Sequence, residues 1–211
     1  RVLAMRLKNF IITVLLSGLN LISEAQPRSI QFDHLSVDDG LPHTTVTCII
    51  QDHLGFMWFG TLNGLCRYDG YNIKIFLNDP EDSTSISNNQ VWTIFEDSYN
   101  RLWVGTRGGG INLYNPEKDV FTCYKHDPND KNSLPFDIIR TITQDHSGRI
   151  WIGTYKGVCW YDTEKDRFNR LSDELGISDD EQGSIYSFSE DIKGQLWIGS
   201  LGNGLLMLNK S

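Results

Sequence analysis

The chain has 211 residues, of which 39% are hydrophobic and 22% charged, so it can bury a core and is not typical of a disordered protein. Its formal net charge is −8 and it has no Lys/Arg cluster, which argues against a nucleic-acid partner and against an anionic membrane surface. Six Trp and 19 Gly favour a turn-rich, all-β fold.

The N-terminal segment has the pattern of a secretory signal peptide. Met5 precedes two cationic residues, an apolar stretch over 10–22, and small residues just before Gln26. The apolar stretch is shorter than the roughly 20 residues that a membrane-spanning helix needs. We therefore predict a signal peptide over residues 1–25, with read-through residues before Met5, and export of the remaining chain.

A repeat organises the rest of the sequence. The string Asp-x-x-Gly/Asn-x-hydrophobic-Trp-hydrophobic-Gly-Thr/Ser occurs four times, and its Trp residues are 45, 48 and 46 residues apart. Because they recur in every copy, we assign structural roles to its Asp, Trp and second Gly: Asp52, Trp58, Gly60, Asp97, Trp103, Gly105, Asp145, Trp151, Gly153, Asp191, Trp197 and Gly199.

Each part of the repeat predicts one piece of an antiparallel sheet. An alternating run before the Asp predicts a first strand, and Asp-x-x-Gly predicts a tight turn whose last residue, Asn100 in the second copy, has positive φ. The Trp run is apolar on both faces, which predicts a second strand covered from both sides. The Gly that follows Trp would let the next sheet approach closely. A Gly-containing hairpin and two more strands follow, except that the fourth copy ends before its fourth strand.

Four short strands per repeat of this length are typical of β-propeller blades. We predict an all-β fold: a partial β-propeller of about four blades of four antiparallel strands, an open arc of a seven-bladed ring. Within the domain 26–211, the blades should cover approximately 30–78, 79–125, 126–170 and 171–211. Such an arc should expose apolar blade faces and fold poorly in isolation.

These strings resemble the two-component regulator propeller repeat, and segment 32–42 is similar to the start of that family's sensor region. The resemblance implies the N-terminal part of the periplasmic sensor region of a Bacteroidetes hybrid two-component sensor histidine kinase. It implies that a membrane helix and a kinase belong to the parent protein, that the parent is a homodimer, and that this segment lies on the periplasmic face of the inner membrane. It also implies an oligosaccharide or similar nutrient as ligand.

The residues give no sign of catalysis. The five His form no ligand pair for a metal, and the repeated Asp residues favour a turn role because an active site occurs once. The acidic groups at 38–39 and 179–181 lie in connections, and the Gly run 108–110 lacks the Lys-Ser/Thr of a phosphate loop. We therefore expect no catalytic residue, no metal and no cofactor.

The four cysteines are expected to be unpaired. Cys48 and Cys66 lie in the first and third strands of one blade, which should hold their Cα atoms about 10 Å apart. That separation exceeds the reach of a disulfide. Cys123 and Cys159 complete the set, and we interpret all four as small buried apolar residues.

Strand direction places the hairpins after each second strand, and the connections between blades, on one face. These segments differ between copies, and variable loops on a fixed scaffold are where recognition concentrates. Trp92 is the foremost candidate because the other copies have no Trp there. The full set of candidate ligand residues is His43, Asn63, Gln90, Trp92, Arg107, Asp137, Arg140, Tyr155 and Lys156.

The sequence therefore predicts a non-catalytic, extracytoplasmic sensing propeller that binds a small molecule, contacts no nucleic acid, and reaches the membrane only through the rest of its parent. Two alternatives stay open. A propeller-scaffold glycosidase or lyase would need a non-repeating cluster of acids or His at the ring centre. A protein-interaction scaffold would carry a contiguous apolar or charged patch on one rim.

Overall fold

Antiparallel sheets follow one another along the chain. The computed structural model describes residues 31–208. The first sheet contains β1 (Val46–Gln51), β2 (Met57–Thr61), β3 (Gly64–Tyr68) and β4 (Ile73–Phe76). The second contains β5 (Val91–Glu96), β6 (Leu102–Thr106), β7 (Ile111–Asn115) and β8 (Val120–Tyr124). The third contains β9 (Ile139–Gln144), β10 (Ile150–Thr154), β11 (Val158–Asp162) and β12 (Arg167–Arg170). The fourth contains β13 (Ser184–Glu190), β14 (Leu196–Leu201) and β15 (Gly204–Leu208).

In each sheet the strands lie in chain order, so every strand pairs with the one before it. The first strands of successive sheets also contact one another: β1 with β5, β5 with β9, and β9 with β13. The sheets are therefore blades, numbered one to four here, whose first strands form the inner edge. The predicted all-β class and the partial propeller are confirmed.

Two short helices lie outside the predicted pattern of strands. They are α1 (Leu171–Leu175) and α2 (Asp179–Gln182), in the connection between blades three and four. A capping box starts α2, in which the Ser178 side chain accepts from the Glu181 N–H and the Glu181 carboxylate accepts from the Ser178 N–H. No helix within residues 31–208 is long and apolar enough to cross a membrane. The predicted signal peptide, 1–25, lies outside the described residues.

The repeated Asp orders the turn and also binds the Trp. In blade three, Asp145 Oδ1 accepts the N–H groups of Ser147 and Arg149 at 2.9 and 3.0 Å. Its Oδ2 accepts the indole N–H of Trp151 at 2.7 Å. The same indole bond measures 2.7, 2.9 and 3.2 Å in blades one, two and four. The turn role was predicted from the sequence, whereas the indole bond was not.

Each oriented Trp packs against the next blade. Trp58 meets Tyr114 edge-on at 5.1 Å between ring centroids, and Trp103 meets Tyr161 at 4.9 Å. Burial, together with a hydrogen bond to Asp119, raises the pKa of Tyr114 to about 12. The first three Trp side chains are at most 1% exposed. Trp197 in blade four is only half-buried, and no further blade follows it within residues 31–208.

In blades one to three, the Gly two residues after Trp is a point of close approach between neighbouring blades. A Cβ built on Gly105 would lie 2.6 Å from Ile139 Cγ2 of the next blade, and one on Gly153 would lie 2.6 Å from Ile185 Cγ2. At Gly60 the corresponding distance to Val91 Cγ1 is 2.8 Å. Carbon atoms in contact need about 3.5–4.0 Å, so a side chain here would force the blades apart.

A second set of bonds joins the blades at the Asp turns. The N–H groups of His53, Ser98 and His146 donate to Glu96, Gln144 and Glu190 of the following blade at 2.9, 2.8 and 2.7 Å. The two His side chains reach the same acids, at 2.6 Å from His53 Nδ1 and 2.8 Å from His146 Nδ1. These His residues are exposed turn residues that also link adjacent blades.

All four cysteines are free thiols. Cys66 and Cys159 are fully buried, and burial raises the pKa of the Cys66 thiol to about 11 and that of Cys159 even further. Cys48 and Cys123 are half-buried, so the expectation that all four are buried was wrong for these two. Cys48 lies beside Gly60, and Cys123 Sγ lies 3.4 Å from the Gly109 carbonyl oxygen.

Replacing Asp145 with Ala should lower the free energy of unfolding by about 2–3 kcal/mol, because the buried indole N–H of Trp151 and the turn N–H groups lose their acceptor. Asp191→Ala is the matched control. Its Trp197 is half-buried and can bond to water, so the loss should be smaller. Urea unfolding followed by near-UV circular dichroism measures both, and equal losses would contradict the indole contribution.

Gly105→Ala should destabilise the chain by about 1–3 kcal/mol, since its methyl group would overlap Ile139 of the next blade. Gly199→Ala meets only Ser187 of its own blade and should cost less. Thermal unfolding midpoints of the two variants distinguish these effects. A milder effect at Gly105 than at Gly199 would show that blade contact does not set the requirement for Gly.

Candidate ligand-binding site

The candidate residues lie on the face that carries the β2–β3, β6–β7 and β10–β11 hairpins, here called the hairpin face. The Thr or Ser that ends the Trp string shapes each hairpin. Thr61 and Thr106 donate their hydroxyls to the carbonyls of Gly64 and Gly110 at 2.8 and 2.9 Å. Thr154 bonds to the Gly157 carbonyl at 3.0 Å and accepts the Lys156 N–H at 3.1 Å. The hairpins therefore have a common framework while the residues they carry differ.

On this face, the first strand of every blade has a β-bulge near its start. In blade two, Val91 pairs with Thr106 and Thr93 pairs with Gly105, which leaves Trp92 as the extra residue. The same shift in the other blades leaves three further residues unpaired. The four bulge residues are Thr47, Trp92, Arg140 and Tyr186. Bulges re-aim side chains and occur next to functional sites.

Three of the bulge residues stack across adjacent blades. The Arg140 guanidinium carbon lies 3.9 Å from the Trp92 ring centroid and 4.9 Å from that of Tyr186. Two hairpin residues join them: Tyr155, whose ring lies 5.8 Å from Arg140, and Arg107, which lies 5.2 Å from the Trp92 ring. We call these five residues the aromatic–arginine cluster. Trp92, Arg107, Arg140 and Tyr155 were all candidates from the sequence.

The cluster carries positive charge without acidic partners. Among residues 31–208, neither Arg107 nor Arg140 forms an ion pair, and Arg140 Nε is buried without a hydrogen-bond partner. Lys156 lies at the margin, where its ammonium pairs with Asp180 at 2.9 Å. Lys156 also approaches the ring of Phe136, which in turn lies 5.7 Å from that of Tyr155.

The remaining candidates have other surroundings. Asp137 accepts the His126 N–H at 2.7 Å and its carbonyl accepts the N–H groups of Gly108 and Gly110, so it anchors the hairpin of blade two. The Gln90 carbonyl accepts the Arg107 N–H. His43 Nδ1 accepts the Thr45 N–H, and Asn63 bonds to the Pro42 carbonyl, so both belong to blade one and not to the cluster.

Tyr186 is the functional candidate that the sequence reading missed. A usable signal was present in the sequence, because the residue 11 positions before the repeated Trp is Thr47, Trp92, Arg140 and Tyr186 in the four copies. Tyr186 is 51% exposed and Tyr155 44%, so both rings are open to a ligand.

Two blade connections also differ from expectation, because they share one local structure instead of varying. In the first, Asp79 donates its N–H to Ser85 Oγ at 2.9 Å, and that hydroxyl donates to the Asp79 carbonyl at 3.0 Å. Asp127 and Ser133 repeat both bonds at 2.9 and 3.0 Å. These connections are scaffold, which leaves the hairpins and bulges as the variable parts.

A family model described as two component regulator propeller matches residues 40–63, 85–108 and 133–156. Each stretch contains one Asp turn, its Trp strand and the start of the following hairpin. The first three blades are therefore similar to the two component regulator propeller repeat. The resemblance drawn from the repeated strings is thereby confirmed.

Two proteins similar to these blades are named as parts of signalling systems, and a third is a component of a secretion system. Histidine kinase P4 of Formosa agariphila is 43% identical over 74 residues, which are 35% of this chain and 5% of the kinase. The solved extracellular domain of a hybrid two component system from Bacteroides thetaiotaomicron is 28% identical, with a TM-score of 0.75 over 83% of this chain and 25% of that domain. PorZ of Porphyromonas gingivalis, 20% identical over 78% of this chain and 24% of its own, shares the fold at a TM-score of 0.55.

Thr154→Val removes the hydroxyl that holds the Tyr155–Lys156 hairpin and should lower the free energy of unfolding by about 1–2 kcal/mol. Thr154→Ser keeps the hydroxyl, and Ser200 already bonds to Gly204 in this way in blade four, so this variant should stay close to wild type. Chemical denaturation measures both variants. Equal losses would mean that the methyl group, and not the hydroxyl, supports the hairpin.

Proposed function

We propose that the chain is part of the extracytoplasmic ligand-sensing region of a two-component receptor, and that it recognises an oligosaccharide or similar nutrient. The signalling class is supported by the relatives, one a histidine kinase and one the extracellular domain of a hybrid two component system. The chain corresponds to 5% and 25% of their lengths, so the kinase, the membrane anchor and a dimeric state belong to the proposal for a larger parent. A periplasmic location belongs to the same proposal.

The aromatic–arginine cluster is the observation that carries the ligand proposal. Saccharides bind through aromatic rings that cover the apolar C–H face of the sugar and through planar polar groups that bond to its edge. The cluster supplies Trp92, Tyr155 and Tyr186 as rings, and Arg107 and Arg140 as planar donors. It spans three blades at the inner edge, so a bound ligand would contact parts of the scaffold that no single blade provides.

The proposal is tested by glycan-array screening of the whole chain, followed by titration calorimetry of the bound glycans. Trp92→Ala should weaken binding by about tenfold or more, because a ring platform is lost. Trp160→Ala is the matched control. Trp160 is also half-buried, and the guanidinium carbon of Arg149 lies 4.3 Å from its ring centroid. Unlike Trp92, it lies in the third strand of its blade. No glycan binding, or equal losses in both variants, would contradict the proposal.

A further inference from the structure

The arginines of the cluster stack on aromatic rings, and their side chains form no hydrogen bond within residues 31–208. Arg140 is stacked between Trp92 and Tyr186, at 3.9 and 4.9 Å from the two ring centroids. Stacking occupies the faces of the planar guanidinium, while its N–H donors point outward within the plane. Those in-plane donors form the fork that matches two oxygens of a carboxylate or sulfate.

Nothing in the described protein uses this fork. Other arginines do form hydrogen bonds through their guanidinium groups. Arg101 Nε donates to the Asp97 carboxylate at 2.7 Å. Arg170 donates to the Ser133 hydroxyl and the Leu134 carbonyl at 3.0 Å, and it lies 3.6 Å from the Asp179 carboxylate. The Arg140 side chain, by contrast, has no hydrogen bond or ion pair within residues 31–208, and its Nε, like that of Arg167, is buried without a partner. Leaving a charged donor unpaired is costly, which favours an acceptor from outside the chain for the other donors of Arg140.

The charges around Arg140 favour an anion. Arg107 lies beside the same Trp92 ring and has no ion pair within residues 31–208. The nearby acid on the preceding loop, Asp137, already accepts the His126 N–H. Lys156 is neutralised by Asp180, which leaves two uncompensated cations at the centre of the cluster. This local charge is opposite to the net charge of −8 on the chain.

We infer that the ligand of the aromatic–arginine cluster is an anionic saccharide, with a carboxylate or sulfate group bound by the edges of Arg140 and Arg107. Its sugar ring lies against Tyr155 or Tyr186, both of which are open to solvent. This inference rests on the proposed saccharide-sensing function and narrows its ligand class. The two anions share the same chemistry of paired oxygens, and the test separates them.

The test compares matched neutral and anionic probes on the whole chain by titration calorimetry. Tetragalacturonate and its fully methyl-esterified form differ in carboxylate charge, and 6-sulfo-N-acetyllactosamine and N-acetyllactosamine differ in sulfate. A glycan array of further matched pairs extends the comparison to other sugars. At least one anionic member should bind ten times or more tightly than its neutral counterpart. Its affinity should fall as NaCl rises from 50 to 300 mM.

Arg140→Gln should reduce that affinity by about tenfold or more, because the fork and its charge are both lost. Arg140→Lys, which keeps the charge but not the fork, should give an intermediate loss and serves if the Gln variant does not fold. The control is Arg149→Gln, since Arg149 is half-buried and stacked on Trp160 at the opposite end of its blade. It should bind as the unmodified chain does.

The outcomes distinguish the two levels of the proposal. If neutral glycans bind as tightly as anionic ones and Arg140→Gln binds unchanged, the anionic class is wrong while saccharide sensing stands. If no glycan of either charge binds, both are wrong. If the carboxylate pair discriminates and the sulfate pair does not, or the reverse, the inference holds and the anion is identified.

Discussion

The bond between a repeated carboxylate and an indole N–H is the interaction on which the blades depend. One oxygen of Asp145 orders its own turn, and the other orients Trp151, so local chain geometry and packing between blades are fixed by one side chain. An indole turned away from this acceptor would leave a buried donor unpaired and lose its contact with the next blade. Because the arrangement recurs every 45–48 residues, each blade is oriented by the one before it.

The repeat determines which positions are free to change. In blades one to three, the Asp, Trp and second Gly of the string are engaged in hydrogen bonds or in contact with the next blade, so replacing them disturbs two blades at once. The bulge residue is excluded from strand pairing and faces the inner edge, and its four occupants are Thr47, Trp92, Arg140 and Tyr186. A bulge therefore lets the chain vary a side chain at the centre of the arc without altering the sheet that carries it.

The sequence predicted those structural features in which a single residue type has one physical role. The spacing of Trp and the turn tetrads predicted the blades, and Asn100 has positive φ in its tetrad, as its alignment with Gly suggested. It was less informative where several residues act together. A one-residue bulge hardly disturbs an alternating pattern, so Tyr186 was missed. The capping box that starts the short helix α2 is a local feature of a few residues, which the strand pattern does not predict. The structure shared by the connections that begin at Asp79 and Asp127 depends in each case on a Ser six residues downstream.

Arg140 of the cluster differs from arginines that the chain itself satisfies. Arg101 donates to a carboxylate and Arg170 to a backbone carbonyl, whereas no hydrogen bond or ion pair joins the Arg140 side chain to another residue within 31–208. An apolar residue at position 140 would avoid the desolvation of Nε and still pack between Trp92 and Tyr186. Stability alone therefore does not account for arginine here. The unpaired guanidinium of Arg140 lies next to solvent-exposed aromatic rings, and this combination has the chemistry that binds an external anion.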